Sequence, residues 1–142
     1  MPTPELRLSI FRVAITIYAL MALIPLGIMH VFFPDQYFSM IQYKLWDPND
    51  PVQREMVELI GSFFIAVSLG AWRVRRDILR NRDLFIVLIA ASVMTEAVVV
   101  YTILIGVAPH AVWFNTILPY GVLLLTMVTC YPWRDASRYG IK

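Results

Sequence analysis

Four long apolar segments separated by short polar stretches dominate the pattern of this chain. They cover residues 8–33, 55–72, 84–108 and 111–131. Each has about 18–26 residues, and about 20 helical residues cross the hydrocarbon core of a bilayer. No alternation of apolar and polar residues is long enough for a membrane strand. The pattern therefore predicts an all-α membrane protein, a four-transmembrane-helix bundle of one domain (1–142) with an outer loop at 34–54.

The composition favours the same class. Of the 142 residues, 59% are hydrophobic and 15% are charged, whereas soluble domains have about 45–50% and about 25%. The first segment is too long for a signal peptide, and HVFFPDQY after it lacks a small-residue cleavage pattern, so we expect a retained helix. Cys130 is the single cysteine, which excludes an internal disulfide. No basic soluble surface suits a nucleic-acid partner.

The basic residues fall on one side of the predicted bundle. They are Arg7, Arg12, Arg73, Arg75, Arg76, Arg80, Arg82, Arg134, Arg138 and Lys142. Because these are ten of the twelve Lys and Arg residues, the positive-inside rule places both termini in the cytoplasm. The chain lacks a lysine-rich retrieval tail, so we expect a bacterial inner membrane. The basic loop at 73–83 also suits membrane lipids with anionic head groups as partners.

A carboxylate stands at the centre of the third apolar segment. A charged side chain costs at least about 2.5 kcal/mol there on insertion scales, so Glu96 should face the bundle interior. Ser92 and Thr95 precede it and extend a polar stripe along the same helix. Two interpretations remain open: Glu96 contacts a ligand, or it is neutral and joins two helices by a hydrogen bond.

The other segments carry stripes of small and polar residues that could face Glu96. These are Thr16, Leu20, Leu23, Gly27 and His30 in the first segment, Glu58, Ser62, Ala66 and Gly70 in the second, and Asn115, Pro119, Val122, Thr126 and Thr129 in the fourth. The small residues of the second segment would allow close helix approach.

These stripes predict a pocket that opens from the outer half of the bundle. Counted in helical turns, Glu58 lies near the outer end and Glu96 about 10 Å deeper, so the two are candidate catalytic carboxylates. The candidate ligand-binding residues are Ser92, Thr95, Tyr101, Asn115 and His30. No spacing of His, Cys, Asp and Glu fits a metal or haem, and no phosphate-binding glycine loop occurs, so we expect no cofactor.

The chain has four predicted helices, a proline-containing aromatic first loop, Glu58-Leu59 at the second helix and Asn115 with Pro119 at the fourth. In these features it resembles the EXPERA group. This group includes the emopamil-binding sterol isomerases and the sigma-2 receptor, and the resemblance spans roughly residues 15–131. The chain is also similar to small bacterial DoxX-like four-helix membrane proteins.

The EXPERA resemblance implies a cavity for a sterol-like or other cationic, hydrophobic ligand. By position it makes Glu58 and Glu96 an acid/base pair, with Asn115 assisting. The chain departs from those isomerases at Leu118, where they place a tryptophan, and it has no His-x-x-x-Glu element. The resemblance therefore implies ligand binding more directly than catalysis.

Three functions remain open from the sequence. The first is binding of a hydrophobic small molecule, with or without isomerase-like chemistry. The second is an accessory subunit of a larger membrane complex, or a homo-oligomer, in which the polar residues join helices. The third is proton-coupled transport through Glu96, against which stands the lack of a second ionisable residue towards the cytoplasm.

Overall fold

The computed structural model describes residues 3–41, 43, 45–106 and 117–133. These residues form a π-helical stretch, Ala22–Ile28, and six α-helices: α1 (Pro4–Met21), α2 (Met29–Phe32), α3 (Pro34–Met40), α4 (Pro51–Arg76), α5 (Arg82–Leu104) and α6 (Leu118–Cys130). The described ranges contain no strand. The prediction of an all-α chain is therefore confirmed.

Three helical stretches are long and apolar enough to cross a membrane. They are Pro4–Phe32, Pro51–Arg76 and Arg82–Leu104. The fourth predicted segment is represented by α6, whose 13 residues extend for about 20 Å, less than the ~30 Å of a bilayer core. Residues 107–116, which hold the start of that segment, lie outside the described residues.

The helix bounds differ from the apolar pattern where capping residues decide them. α4 begins at Pro51 rather than at residue 55, because the Asp50 carboxylate accepts hydrogen bonds from the first amides at 2.9 and 3.3 Å and proline suits the first helical position. α5 ends at Leu104 rather than at residue 108. Gly106 follows in a left-handed conformation with φ 77°, which is typical of a helix C-terminus.

Pro25 reshapes the first span without ending it. Proline has no N–H and its ring clashes with the carbonyl four residues earlier, so a regular α-helix cannot continue through it. The backbone widens into the π-helical stretch, in which the Met29 N–H donates to the Ile24 carbonyl, five residues back. α2 then resumes the span at Met29.

The first span and α4 cross at two glycines. A Cβ on Gly61 would lie 2.9 Å from the Gly27 carbonyl oxygen and 2.8 Å from the His30 Cβ. The backbones therefore approach closely because neither position carries a side chain. α5 packs on α4, and α6 packs on α1.

The chain folds so that the basic ends of its helices meet. The Arg7 guanidinium donates to the Thr129 carbonyl near the end of α6. The Tyr131 hydroxyl donates to the Ile78 carbonyl, between α4 and α5, at 2.7 Å, and its ring stacks on Phe85 with centroids 4.3 Å apart. The start of α1, the α4–α5 connection and the end of α6 thus lie at one end of the molecule.

Candidate functional site

Two hydroxyl groups meet in the interior between α1 and α5. The Tyr18 Oη lies 2.5 Å from the Ser92 Oγ, and both residues are buried. The Ser92 hydroxyl donates its proton to the Leu88 carbonyl at 2.8 Å. Because serine has one proton to give, Tyr18 is the donor to Ser92, and this contact fixes the position of the Tyr18 ring.

Tyr120 and Glu96 complete this group, which we term the polar cluster (Tyr18, Ser92, Glu96 and Tyr120). Tyr120, from α6, packs edge-on against the Tyr18 ring with centroids 5.7 Å apart. Glu96 lies one helical turn after Ser92 on α5, so the two side chains share one face of that helix. The Tyr120 Oη and Glu96 Oε2 atoms are buried without a hydrogen-bond partner in the described part of the chain.

Four aromatic side chains cover the end of the first span, and we call them the aromatic cap (His30, Tyr37, Phe38 and Trp46). The His30 and Tyr37 rings lie 4.1 Å apart, and Trp46 stacks on Phe38 at 4.6 Å. The Trp46 Nε1 donates to the Asp35 carboxylate at 3.0 Å. Burial raises the pKa of Tyr37 above its ordinary value.

The structure brings some of the predicted site residues together. Ser92 and Glu96 both belong to the polar cluster. His30 is buried in the aromatic cap, and its Nδ1 has no hydrogen-bond partner among the described residues. The structure thus places Ser92 and Glu96 together on α5 and His30 apart from them in the aromatic cap.

Other predicted site residues lie elsewhere. Glu58 is on the exposed face of α4, where its carboxylate pairs with Arg54 at 3.7 Å, and Tyr101 is 61% exposed on α5. Thr95 is half-buried and donates to the Ala91 carbonyl of its own helix at 2.9 Å. Asn115 lies outside the described residues.

The predicted stripe on α4 is not the seam that contacts the first span. Ser62 and Ala66 are exposed, whereas Gly61, Phe64 and Ser68 are buried. The Ser62 hydroxyl donates to the Glu58 carbonyl at 2.9 Å. A serine whose hydrogen bond is satisfied within its own helix has no need of an interior partner. The prediction that the stripe of small residues forms the contact face of α4 was therefore wrong.

The sequence prediction did not include the two buried tyrosines of this interior, Tyr18 and Tyr120. A signal was available for both. Tyrosine in membrane helices is usual at the interfaces, whereas Tyr18 stands in the middle of the first apolar segment and Tyr120 well inside the fourth. A buried phenol usually finds a hydrogen-bond partner, so such a position indicates a polar contact.

The cluster offers a carboxyl, two phenols and a hydroxyl within an apolar interior. Among the described residues, no group of three or more His, Cys, Asp or Glu side chains could hold a metal ion. The arrangement can donate hydrogen bonds to a small polar group and accept them from it. Comparison of the chain with protein-family models, curated proteins and solved structures found no match.

Proposed function

We propose that this chain is an integral membrane protein that binds one hydrophobic molecule through a hydroxyl or amine group at Glu96 and Tyr120. The observation that carries the proposal is the pair of unpartnered polar atoms, Glu96 Oε2 on α5 and Tyr120 Oη on α6. Each unsatisfied buried group costs about 1–3 kcal/mol. A ligand that hydrogen-bonds to both would recover that cost.

The surroundings of these atoms support a mostly apolar ligand of sterol-like or lipid-like character. Tyr18 and Tyr120 present ring faces and edges, and apolar helices surround them. A ligand hydroxyl could donate to the Glu96 carboxylate and accept from the Tyr120 phenol, and an amine could donate to the carboxylate. Glu58, which the resemblance pairs with Glu96, is exposed and bonded to Arg54, so the geometry favours binding over catalysis by two carboxyls.

The proposal takes the chain as four membrane crossings with both termini in the cytoplasm of a bacterial cell. The three long apolar helices supply three crossings, and the apolar pattern of residues 111–131 predicts the fourth. The contact between Arg7 and the Thr129 carbonyl supports a common end for the start of α1 and the end of α6. The basic residues concentrate at that end, as a cytoplasmic location requires.

Native mass spectrometry of the chain extracted from its own membrane tests this function. We expect a discrete small-molecule mass at one per chain, and we expect Glu96→Gln and Tyr120→Phe to lose most of it. Glu55→Gln makes the same change on the exposed surface of α4 and should retain it. Equal retention by all variants would remove the assignment to the polar cluster.

A second candidate is an accessory subunit, because α5 has little contact with the rest of the described chain. In the most apolar 18-residue stretch of α5, 17% is buried inside the structure. The corresponding shares are 33% for Pro4–Phe32 and 39% for Pro51–Arg76. A partner helix could cover Val93, Met94 and Val98, which are exposed. The same experiment separates the two functions, since an accessory subunit would bring other subunits at a fixed ratio and no small molecule.

A further inference from the structure

A groove of about 410 Å³ lies at the basic end of α4, and no residue of the polar cluster lines it. Its lining consists of Leu69, Gly70, Trp72, Arg73 and Arg76. Leu69, Trp72, Arg73 and Arg76 follow the spacing i, i+3, i+4, i+7, which places them along one face of a helix. This face changes from apolar to cationic within two turns.

Among the described residues, no acidic side chain forms an ion pair with the arginines of the groove. The ion pair found among the described residues joins Arg54 and Glu58, at the other end of α4, and the Arg75 guanidinium lies over the Trp72 ring at 5.1 Å. Arginines in a last helical turn also interact with the helix dipole, but that dipole amounts to about half a charge. Arg73 and Arg76 therefore leave a net positive charge beside an apolar surface.

We propose that this groove binds an anionic phospholipid. The Arg73 and Arg76 guanidinium groups hold the phosphate, because their planar donors match its oxygens. An acyl chain lies along Leu69, Gly70 and Trp72.

The position of the groove favours a lipid over a free phosphate. The apolar sequence of α4 ends at Trp72 and the arginines begin at the next residue, so the groove spans the expected boundary between acyl chains and head groups. Tryptophan is enriched at that boundary, and arginine side chains extend from it towards head groups. A phosphate without an acyl chain would leave the apolar part of the groove unfilled.

Native mass spectrometry of the full chain in detergent, titrated with phosphatidylglycerol, tests the proposal. Arg73→Gln/Arg76→Gln should weaken phosphatidylglycerol binding about 30-fold, which is about 2 kcal/mol at ~1 kcal/mol for each arginine. Arg80→Gln/Arg82→Gln removes the same charge from residues that do not line the groove and should weaken it no more than threefold. Equal weakening by both pairs would overturn the proposal, because it would indicate a diffuse electrostatic attraction.

Two further measurements separate the acyl-chain contact from the charge. Leu69 is 63% exposed, so Leu69→Trp fills the groove without disturbing the core or any charge, and it should weaken phosphatidylglycerol binding at least fivefold. Unchanged binding in Leu69→Trp would overturn the proposed acyl-chain contact. Glycerol phosphate, the head group alone, should not compete at a hundredfold excess over the lipid, and effective competition would assign the site to free phosphate esters.

Discussion

Replacement of Gly61 by alanine should separate the first span from α4. The added Cβ would lie 2.7 Å from the Val31 Cγ2, 2.8 Å from the His30 Cβ and 2.9 Å from the Gly27 carbonyl oxygen. The Val31 methyl can rotate away, but the other two atoms are fixed by the helix backbone. The helices must therefore move apart, and this displaces His30 from its contacts with Tyr37 and Phe38 in the aromatic cap.

The expected loss can be worked out against a matched control. Overpacking costs about 1–3 kcal/mol, and three contacts below 3.0 Å place Gly61→Ala in the upper part of that range. Gly121→Ala makes the same change on α6, where a Cβ would meet no heavy atom within 4 Å. Both variants gain similar helix propensity, so Gly61→Ala should be about 2–3 kcal/mol less stable than Gly121→Ala.

Reversible unfolding in mixed micelles, with increasing fractions of a denaturing detergent and circular dichroism as the readout, measures this difference. Far-ultraviolet spectra recorded before unfolding should remain helical for both variants. Equal stability of Gly61→Ala and Gly121→Ala would refute the close crossing of the first span and α4.

Three more predictions follow from particular contacts. A double-mutant cycle of Ser92→Ala and Tyr18→Phe should give a coupling energy of about 0.6–1.7 kcal/mol, since their hydroxyls are hydrogen-bonded; additive effects would exclude that bond. Because burial raises the pKa of Tyr37, its hydroxyl holds its proton more tightly in the folded cap than in the unfolded chain. The resulting contribution to the free energy of unfolding is complete below pH ~10 and is lost as the pH rises through the higher pKa of the folded state. The protection factors of the α3 amides, which correct for the base-catalysed rise of exchange with pH, should therefore fall above that pH in the wild type and stay constant in Tyr37→Phe; the same protection profile in both would contradict this. Glu58→Gln should leave the co-purified small molecule in place, because Glu58 is exposed and paired with Arg54. Loss of the small molecule in this variant would instead indicate a pocket formed by both carboxylates.

The sequence predicted the helical class and the three long apolar helices well, because hydrophobic length is a property of each segment alone. It predicted the bounds less well, since the caps at Asp50 and Gly106 act through local backbone geometry. The widening at Pro25 could also be predicted only in part. Proline interrupts a regular α-helical turn, but whether the helix kinks or widens into a π-helical stretch depends on the packing around it.

The candidate site was predicted in part, and the reason lies in how different polar side chains satisfy their hydrogen bonds. Thr126 and Thr129 donate to carbonyls of their own helix at 2.7 and 2.8 Å, so their presence says little about which face is interior. Tyr18 cannot bond back to its own helix in this way, and its hydroxyl finds Ser92 on another helix. Tyrosine within an apolar segment was therefore the more informative signal.

An infrared difference spectrum between the chain carrying its co-extracted molecule and the same chain after delipidation tests whether the Glu96 carboxyl contacts a bound hydrophobic molecule. Removal of the molecule should shift a carboxyl band, and this band should disappear in Glu96→Gln but remain in Glu55→Gln. A spectrum in which delipidation leaves every glutamate band unchanged would contradict ligand contact, and Glu96 would then serve only the contact between helices.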